Sequence, residues 1–251
     1  MIGHPAIKKT SGRSHDRIAT QPGGAKLGTK TKIVILGAAG TGLQIAESAI
    51  GNRMALAGFL DDDEAKQANG YFGHPVLGAL HSWSQLPQDY LFLTSLYGAR
   101  KNGLFLQIVR SLGIPDSRWA TLVDRDSRVS PTAAVACGSY IGPGCVVGPM
   151  AAIGRFCGLI GNVYIAHHVC CGDYVAFANS ASVCGHVSVG EGTYVGANAC
   201  IREYVRIGSG AVVGMGAVVI HDVADGATVV GNPARPIAAS TARESPTTPS
   251  S

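Results

Sequence analysis

From Val129 onward, every sixth residue is apolar. The positions are Val129, Val135, Ile141, Val147, Ile153, Leu159, Ile165, Cys171, Phe177, Val183, Val189, Val195, Ile201, Ile207, Val213 and Val219, sixteen in register without an insertion. Four residues after each stands a small or β-branched residue, from Ala133 and Ser139 through to Val223. The residue directly after the first is often glycine, as at Gly142, Gly148, Gly154, Gly172, Gly190 and Gly196. A large inward residue, a small inward residue and a turn in every six predict a parallel β-helix. Each repeat contributes one short strand and one corner, and stacked repeats bury a core that a single repeat cannot.

Residues 32–122 carry a different pattern. KIVILG (Lys32 to Gly37) is a β-rich apolar run, and MALAGFLDDD (Met54 to Asp63) and YLFLTS (Tyr90 to Ser95) are two more. LQIAESAIG after Gly42 has helical spacing, and NGLFLQIVRSLG (Asn102 to Gly113) is an amphipathic helix closed by glycine. Strand, helix, strand, strand, helix predicts an α/β unit with a small parallel sheet. Residues 1–31 and the tail from Ala239 have no periodicity and read as disordered.

Charge changes the picture once it is divided along the chain. The formal net charge is +4, but the excess sits in residues 1–31, with six Lys/Arg against one Asp. Residues 32–238 hold 13 basic and 14 acidic residues. A neutral body argues against a nucleic-acid partner. No apolar run approaches the ~20 residues of a membrane helix, so no membrane partner is expected. All seven cysteines fall between Cys137 and Cys200 and none forms a CxxC pair. They read as reduced thiols of a cytoplasmic protein rather than a zinc or redox motif. Adjacent Cys170 and Cys171 would point to opposite faces of a strand and pack rather than react.

Gly37-x-x-Gly40-x-Gly42 stands between a strand and a helix, where a phosphate could meet backbone N–H groups and a helix N-terminus. Asp61 and Asp62 end the next strand about 20 residues on, as in a ribose-binding arrangement. The spacing is GxxGxG rather than the dinucleotide GxGxxG. A mononucleotide or nucleotide-sugar site is preferred over NAD, and a plain strand-to-helix turn is the structural alternative.

Taken together, IVILGAAGTG, GFLDDD, GHPVLG, the hexapeptides and the closing VVGNPARPI resemble the sugar acetyltransferases of the PglD, PerB and NeuD type, over about residues 32–238. The resemblance implies a Rossmann-like nucleotide-sugar-binding domain over 32–122 and a left-handed β-helix acyltransferase domain over 123–238. It also implies a homotrimer, and acetyl-CoA as co-substrate with no metal. Three repeats then complete one coil, so residues 18 apart stack on successive rungs. The family's active histidine lies in a V-E-H-E-C stretch. The matching residues are Ile165-Ala166-His167-His168-Val169-Cys170, which assigns His167 as the general base.

The chain departs from the family at named places. Ala166 and His168 replace the acids that flank the histidine, Ala176 replaces a further histidine, and Thr41 replaces a histidine of the glycine-rich loop. The carboxylate that orients the imidazole is therefore missing. His168 and His186 are expected to stack and line the acceptor entrance, without His168 taking over the carboxylate's role. By the same resemblance, the backbone of Gly185 approaches the thioester. Ala197, Gly214 and Met215 fall near the pantetheine groove, and Arg235 is placed to meet a phosphate of acetyl-CoA. Gly37, Gly40, Thr41, Gly42, Asp61 and Asp62 hold the nucleotide-sugar. The implied reaction is N-acetylation of a 4-amino-deoxy sugar linked to UDP or GDP. Sugar O-acetylation of the sialic-acid type, or a non-catalytic nucleotide-sugar-binding protein, stands as the alternative.

Overall fold

The computed structural model describes residues 32–99 and 102–237. The disorder read for residues 1–31 and for the tail from Ala239 lies outside the described residues.

The first apolar run forms β1 (Lys32–Leu36), central in a three-stranded parallel sheet between β2 (Ala55–Leu60) and β3 (Tyr90–Thr94). Its apolar residues are buried without a break, because both faces of a parallel sheet are covered. Helix α1 (Gly40–Gly51) follows β1 and buries Gly42, Ile45, Ala46 and Ala49. The turn between them needs glycine at two places. Gly37 adopts φ 99°, and a Cβ on Gly42 would come within 2.2 Å of the Gly37 carbonyl oxygen.

After β2 comes a short helix, α2 (Glu64–Asn69), which the apolar pattern did not announce. Asp63 caps it, accepting hydrogen bonds from the N–H groups of Ala65 and Lys66. The last helix, α3 (Asn102–Ser111), shows its apolar face at Leu106 and Val109.

From Leu122 the chain winds into a parallel β-solenoid of about six turns. Two-residue strands stack into three sheets, the faces of the solenoid. Tyr140–Ile141 pairs with Gly158–Leu159, Val146–Val147 with Tyr164–Ile165, and Ala152 with Cys170. Each of these pairs is separated by 18 residues, three repeats. The winding starts one repeat before Val129, with Leu122–Val123 under Tyr140–Ile141. At the other end the last coil is short: Val195 pairs with Val213, 18 on, whereas Val213 pairs with Val229, 16 on.

Both inward positions of the repeat fill one continuous core, from Ile141 and Cys145 to Val223 and Val229. The corner between them is an αL residue. Gly138, Gly144, Gly192, Gly210 and Gly216 have positive φ there, and so do Met150, Phe156, Asn162, His168, Tyr174, Ser180, His186, Asn198 and Tyr204. An αL conformation costs a side-chain-bearing residue about 1–2 kcal/mol. Burying one Val, Ile or Phe contributes about 1.5–3 kcal/mol, and each repeat also buries a second side chain, so the corners are carried by the core. Two hydroxyls in that core are satisfied: Ser139 Oγ donates to the Gly154 carbonyl at 2.8 Å and Thr193 Oγ1 to Gly208 at 2.7 Å.

The α/β unit is joined to the solenoid by contacts that fix its position. Ser48 Oγ meets the Tyr140 hydroxyl at 2.8 Å, Asn52 Nδ2 donates to the Val123 carbonyl at 2.6 Å, and Gln44 Nε2 donates to Ile160. Asn102 Nδ2 donates to the carbonyls of Tyr174 and Gly192. A chain of aromatic contacts, Phe92–Trp119–Phe156–Tyr174–Tyr97, seals the junction. Among the described residues, no helix is long and apolar enough to cross a membrane.

Candidate functional site

Three histidines meet on one corner of the solenoid. Ile165 closes a strand with its side chain in the core, so the chain must turn outward at once, and His167 and His168 fall on the exposed corner. Eighteen residues on, the same corner carries Gly185 and His186. His168 and His186 both sit at the αL position, with φ 57° and 61°. Their rings stack, 4.7 Å between centroids and 14° between planes. Tyr204, a further 18 residues on, stacks on His186 at 4.8 Å and 4°. The rise between rungs sets this spacing, because every third repeat returns to the same corner. Tyr204 was absent from the sequence reading, although the step of 18 that links His168 to His186 leads directly to it.

His167 lies against the next rung. A Cβ built on Gly185 would stand 2.6 Å from His167 Cε1 and 2.9 Å from Nε2. The imidazole therefore occupies space that any larger residue at 185 would take. Its Nδ1, 3.2 Å from the same Cβ position, faces His168: the two Nδ1 atoms are 3.1 Å apart. At that separation one Nδ1 carries the proton and the other accepts it. The neighbour placed at the acceptor entrance by sequence thus reaches the nitrogen through which a base would be oriented.

The glycine turn is a second locus. The carboxylate of Asp61 points back into it: Oδ2 accepts from the Ala38 N–H at 2.7 Å and pairs with Lys66 Nζ at 3.3 Å. Asp62 Oδ1 accepts from the Leu80 N–H at 2.8 Å. Both acids are engaged in holding the turn and the chain that follows β2. Gly37 and Gly42 serve the packing of α1 on β1, while a Cβ on Gly40 would meet nothing within 4 Å. Helix α1 starts at Gly40 with no side-chain cap and no acid in its first turn.

Within one chain these loci are apart. Gln44 of α1 meets Ile160, on the corner that opens the face Tyr164–Ile165, whereas His167 lies on the corner that closes it. Ala197, Gly214 and Met215 belong to the former corner, with the Gly216 N–H donating to Ala197 across the rungs. Met215 is 80% exposed there. Arg235 lies at the C-terminal end and lines a cavity of about 320 Å³ with His221, Asp222 and Val223. Neither Arg235 nor the Ala197 group adjoins His167 in the same chain.

The cysteines take no part in this corner chemistry. All seven are free, and burial raises the thiols of Cys145 and Cys157 to about 11 and about 12. Cys171 is buried and Cys170 half-buried.

No protein-family model and no curated protein sequence matches the chain. Solved structures do. The acetyltransferase domain of PglB from Neisseria gonorrhoeae FA1090 is 27% identical, with TM-score 0.74, over 82% of this chain and 99% of that one. This chain resembles the hexapeptide-repeat sugar acetyltransferases. WeeI from Acinetobacter baumannii AYE is 26% identical, with TM-score 0.71, over 82% of this chain and all of that one. PerB from Caulobacter crescentus, solved with CoA and GDP-perosamine, shares the fold at 23% identity and TM-score 0.74, over 83% and 98% of the two chains. These matches span both the α/β unit and the solenoid, since the 82–83% of this chain that they cover is more than either contributes alone.

Proposed function

We propose that this chain is an acetyl-CoA-dependent N-acetyltransferase acting on the amino group of a nucleotide-linked 4-amino-deoxy sugar. In this reading the α/β unit is a Rossmann-like nucleotide-sugar domain and the solenoid is a left-handed β-helix. The observation that carries the proposal is the corner geometry: His167 rests on Gly185 with a hydrogen-bond partner, His168, on its Nδ1. The PglB domain has also been solved with acetyl coenzyme A, and PerB with CoA and GDP-perosamine.

The chemistry follows from one tautomer. His167 Nδ1–H donates to His168 Nδ1, which leaves the Nε2 lone pair of His167 free. Nε2 takes the proton of the acceptor amine as its nitrogen attacks the thioester carbon. The tetrahedral intermediate collapses, the C–S bond breaks, and the proton passes to the CoA thiolate. The products are the N-acetyl sugar and free CoA. The backbone at Gly185 lies beside His167, where the thioester oxygen would be held. As an imidazole that accepts this hydrogen bond, His168 fixes the tautomer without the extra stabilisation of the imidazolium that a carboxylate gives.

The separation of the two loci supports a homotrimer, in which His167 of one chain faces the Ala197, Gly214 and Met215 corner of the next. Light scattering at micromolar concentration should return three times the chain mass; a monomer would remove the shared site. Binding by the α/β unit is tested by calorimetry on the intact protein with UDP-sugar, GDP-sugar and NAD. A nucleotide-sugar should bind through the uncapped first turn of α1 and Thr41, and tight binding of NAD alone would overturn that part of the reading. A cytoplasmic location accords with seven free thiols and awaits fractionation of cells.

A further inference from the structure

We infer that His167, His168 and His186 form a binding site for a divalent transition-metal ion of the zinc type. Two histidines would make a poor site, but the fold brings three to one corner. One ligand nitrogen from each lies within 4.8 Å of the others. The closest pair, the Nδ1 atoms of His167 and His168, is 3.1 Å apart. Two nitrogens bound tetrahedrally at the usual zinc–nitrogen length of ~2.0–2.1 Å are about 3.3 Å apart. That pair already has the separation a shared ion requires. All three side chains are exposed, so rotation of His186 out of its stack between His168 and Tyr204 closes the remaining gap without disturbing the core. The backbone beneath them is rigid by comparison, because each corner is pinned between rungs: the His168 N–H donates to Pro149, and the His186 N–H to His167.

Ligand chemistry selects the ion. Three imidazoles suit zinc, cobalt, nickel or copper, whereas magnesium and calcium require oxygen ligands. Three protein ligands leave a fourth position open to solvent. The ion would replace the single proton that His167 and His168 now share, and it would occupy both Nδ1 lone pairs. Metal binding and the orienting hydrogen bond are then mutually exclusive. A further consequence, which rests on the proposed role of His167, is that zinc inhibits acetyl transfer.

The test is calorimetry of the full chain with zinc, and visible absorption with cobalt as the spectroscopic probe. One ion per chain should bind with micromolar affinity or tighter, and cobalt should give the intense bands of a tetrahedral site. His168→Asn and His186→Asn should each weaken binding by at least 10-fold; asparagine tolerates the αL corner. Absence of binding up to 1 mM (about −4 kcal/mol), or binding unchanged in both variants, would overturn the proposal. Should either variant fail to fold, zinc protection of the three histidines from diethylpyrocarbonate in the unaltered protein decides instead, with no protection as the contrary result. Inhibition of thiol release by zinc is a separate arm: if the protein has no transferase activity, the binding result still stands or falls by itself.

Discussion

His167→Ala should lower turnover by about 100-fold or more while leaving the fold intact. General-base assistance contributes ~10²–10⁴ to such a reaction, and among the described residues no other imidazole lies against Gly185. The side chain is exposed and contributes nothing to the core, so the melting temperature should stay within a degree or two. The neighbours divide from it by readout. His168→Ala removes the acceptor on Nδ1 and should lower kcat by about 10-fold or more, the scale of losing an orienting partner. His186→Ala should chiefly raise the Michaelis constant of the acceptor. If His167→Ala keeps near-full turnover while His186→Ala abolishes it, the base has been placed on the wrong imidazole.

Gly185→Ala should be nearly as damaging, although it adds one methyl group. Gly185 has no positive φ, so alanine meets no backbone strain there. Its Cβ would stand 2.6 Å from His167 Cε1 and 2.9 Å from Nε2, well inside contact distance. The atom it meets belongs to an exposed, rotatable ring, so the ring moves and the fold stays. A displacement near 1 Å at a reacting group can cost about 100-fold in rate. Steady-state kinetics should therefore show a loss of about 10- to 100-fold in kcat with unchanged thermal stability. Full activity would show that the imidazole does not work from this position, and unfolding would show that the ring does not yield.

Much of this molecule was legible from one residue period. The inward positions read from Val129 to Val219 are the core of the solenoid. The coil read from residue 123 opens on Leu122–Val123, one repeat ahead of the sixfold apolar series, with Ser127 in the small slot as Ser139 is two repeats on. Ser127 fits because its hydroxyl donates to the Gly142 carbonyl. The αL corners are masked in the sequence: glycine and asparagine at Gly138, Gly144, Asn162 and Asn198 mark them, but His168, Tyr174 and His186 occupy the same position and hide the pattern. Asp61 read as a ligand group because it ends a strand beside a glycine turn. Whether its carboxylate faces outward or closes the turn depends on the Ala38 N–H and Lys66, contacts that spacing alone does not reveal. The same limit applied to His168. Its step of 18 to His186 followed from the period, while its approach to His167 depends on rotamers at an αL corner.

The central claim is acetyl transfer from acetyl-CoA to a nucleotide-linked amino sugar. It is tested most directly by incubating the protein with acetyl-CoA and a panel of UDP- and GDP-linked amino sugars, following free thiol and the mass of the sugar product. The account predicts thiol release with at least one amino sugar, matched mole for mole by a product one acetyl group heavier and stable to hydroxylamine, as an amide is. Thiol release matched by a hydroxylamine-labile ester, or no release with any sugar that calorimetry shows to bind, would contradict it.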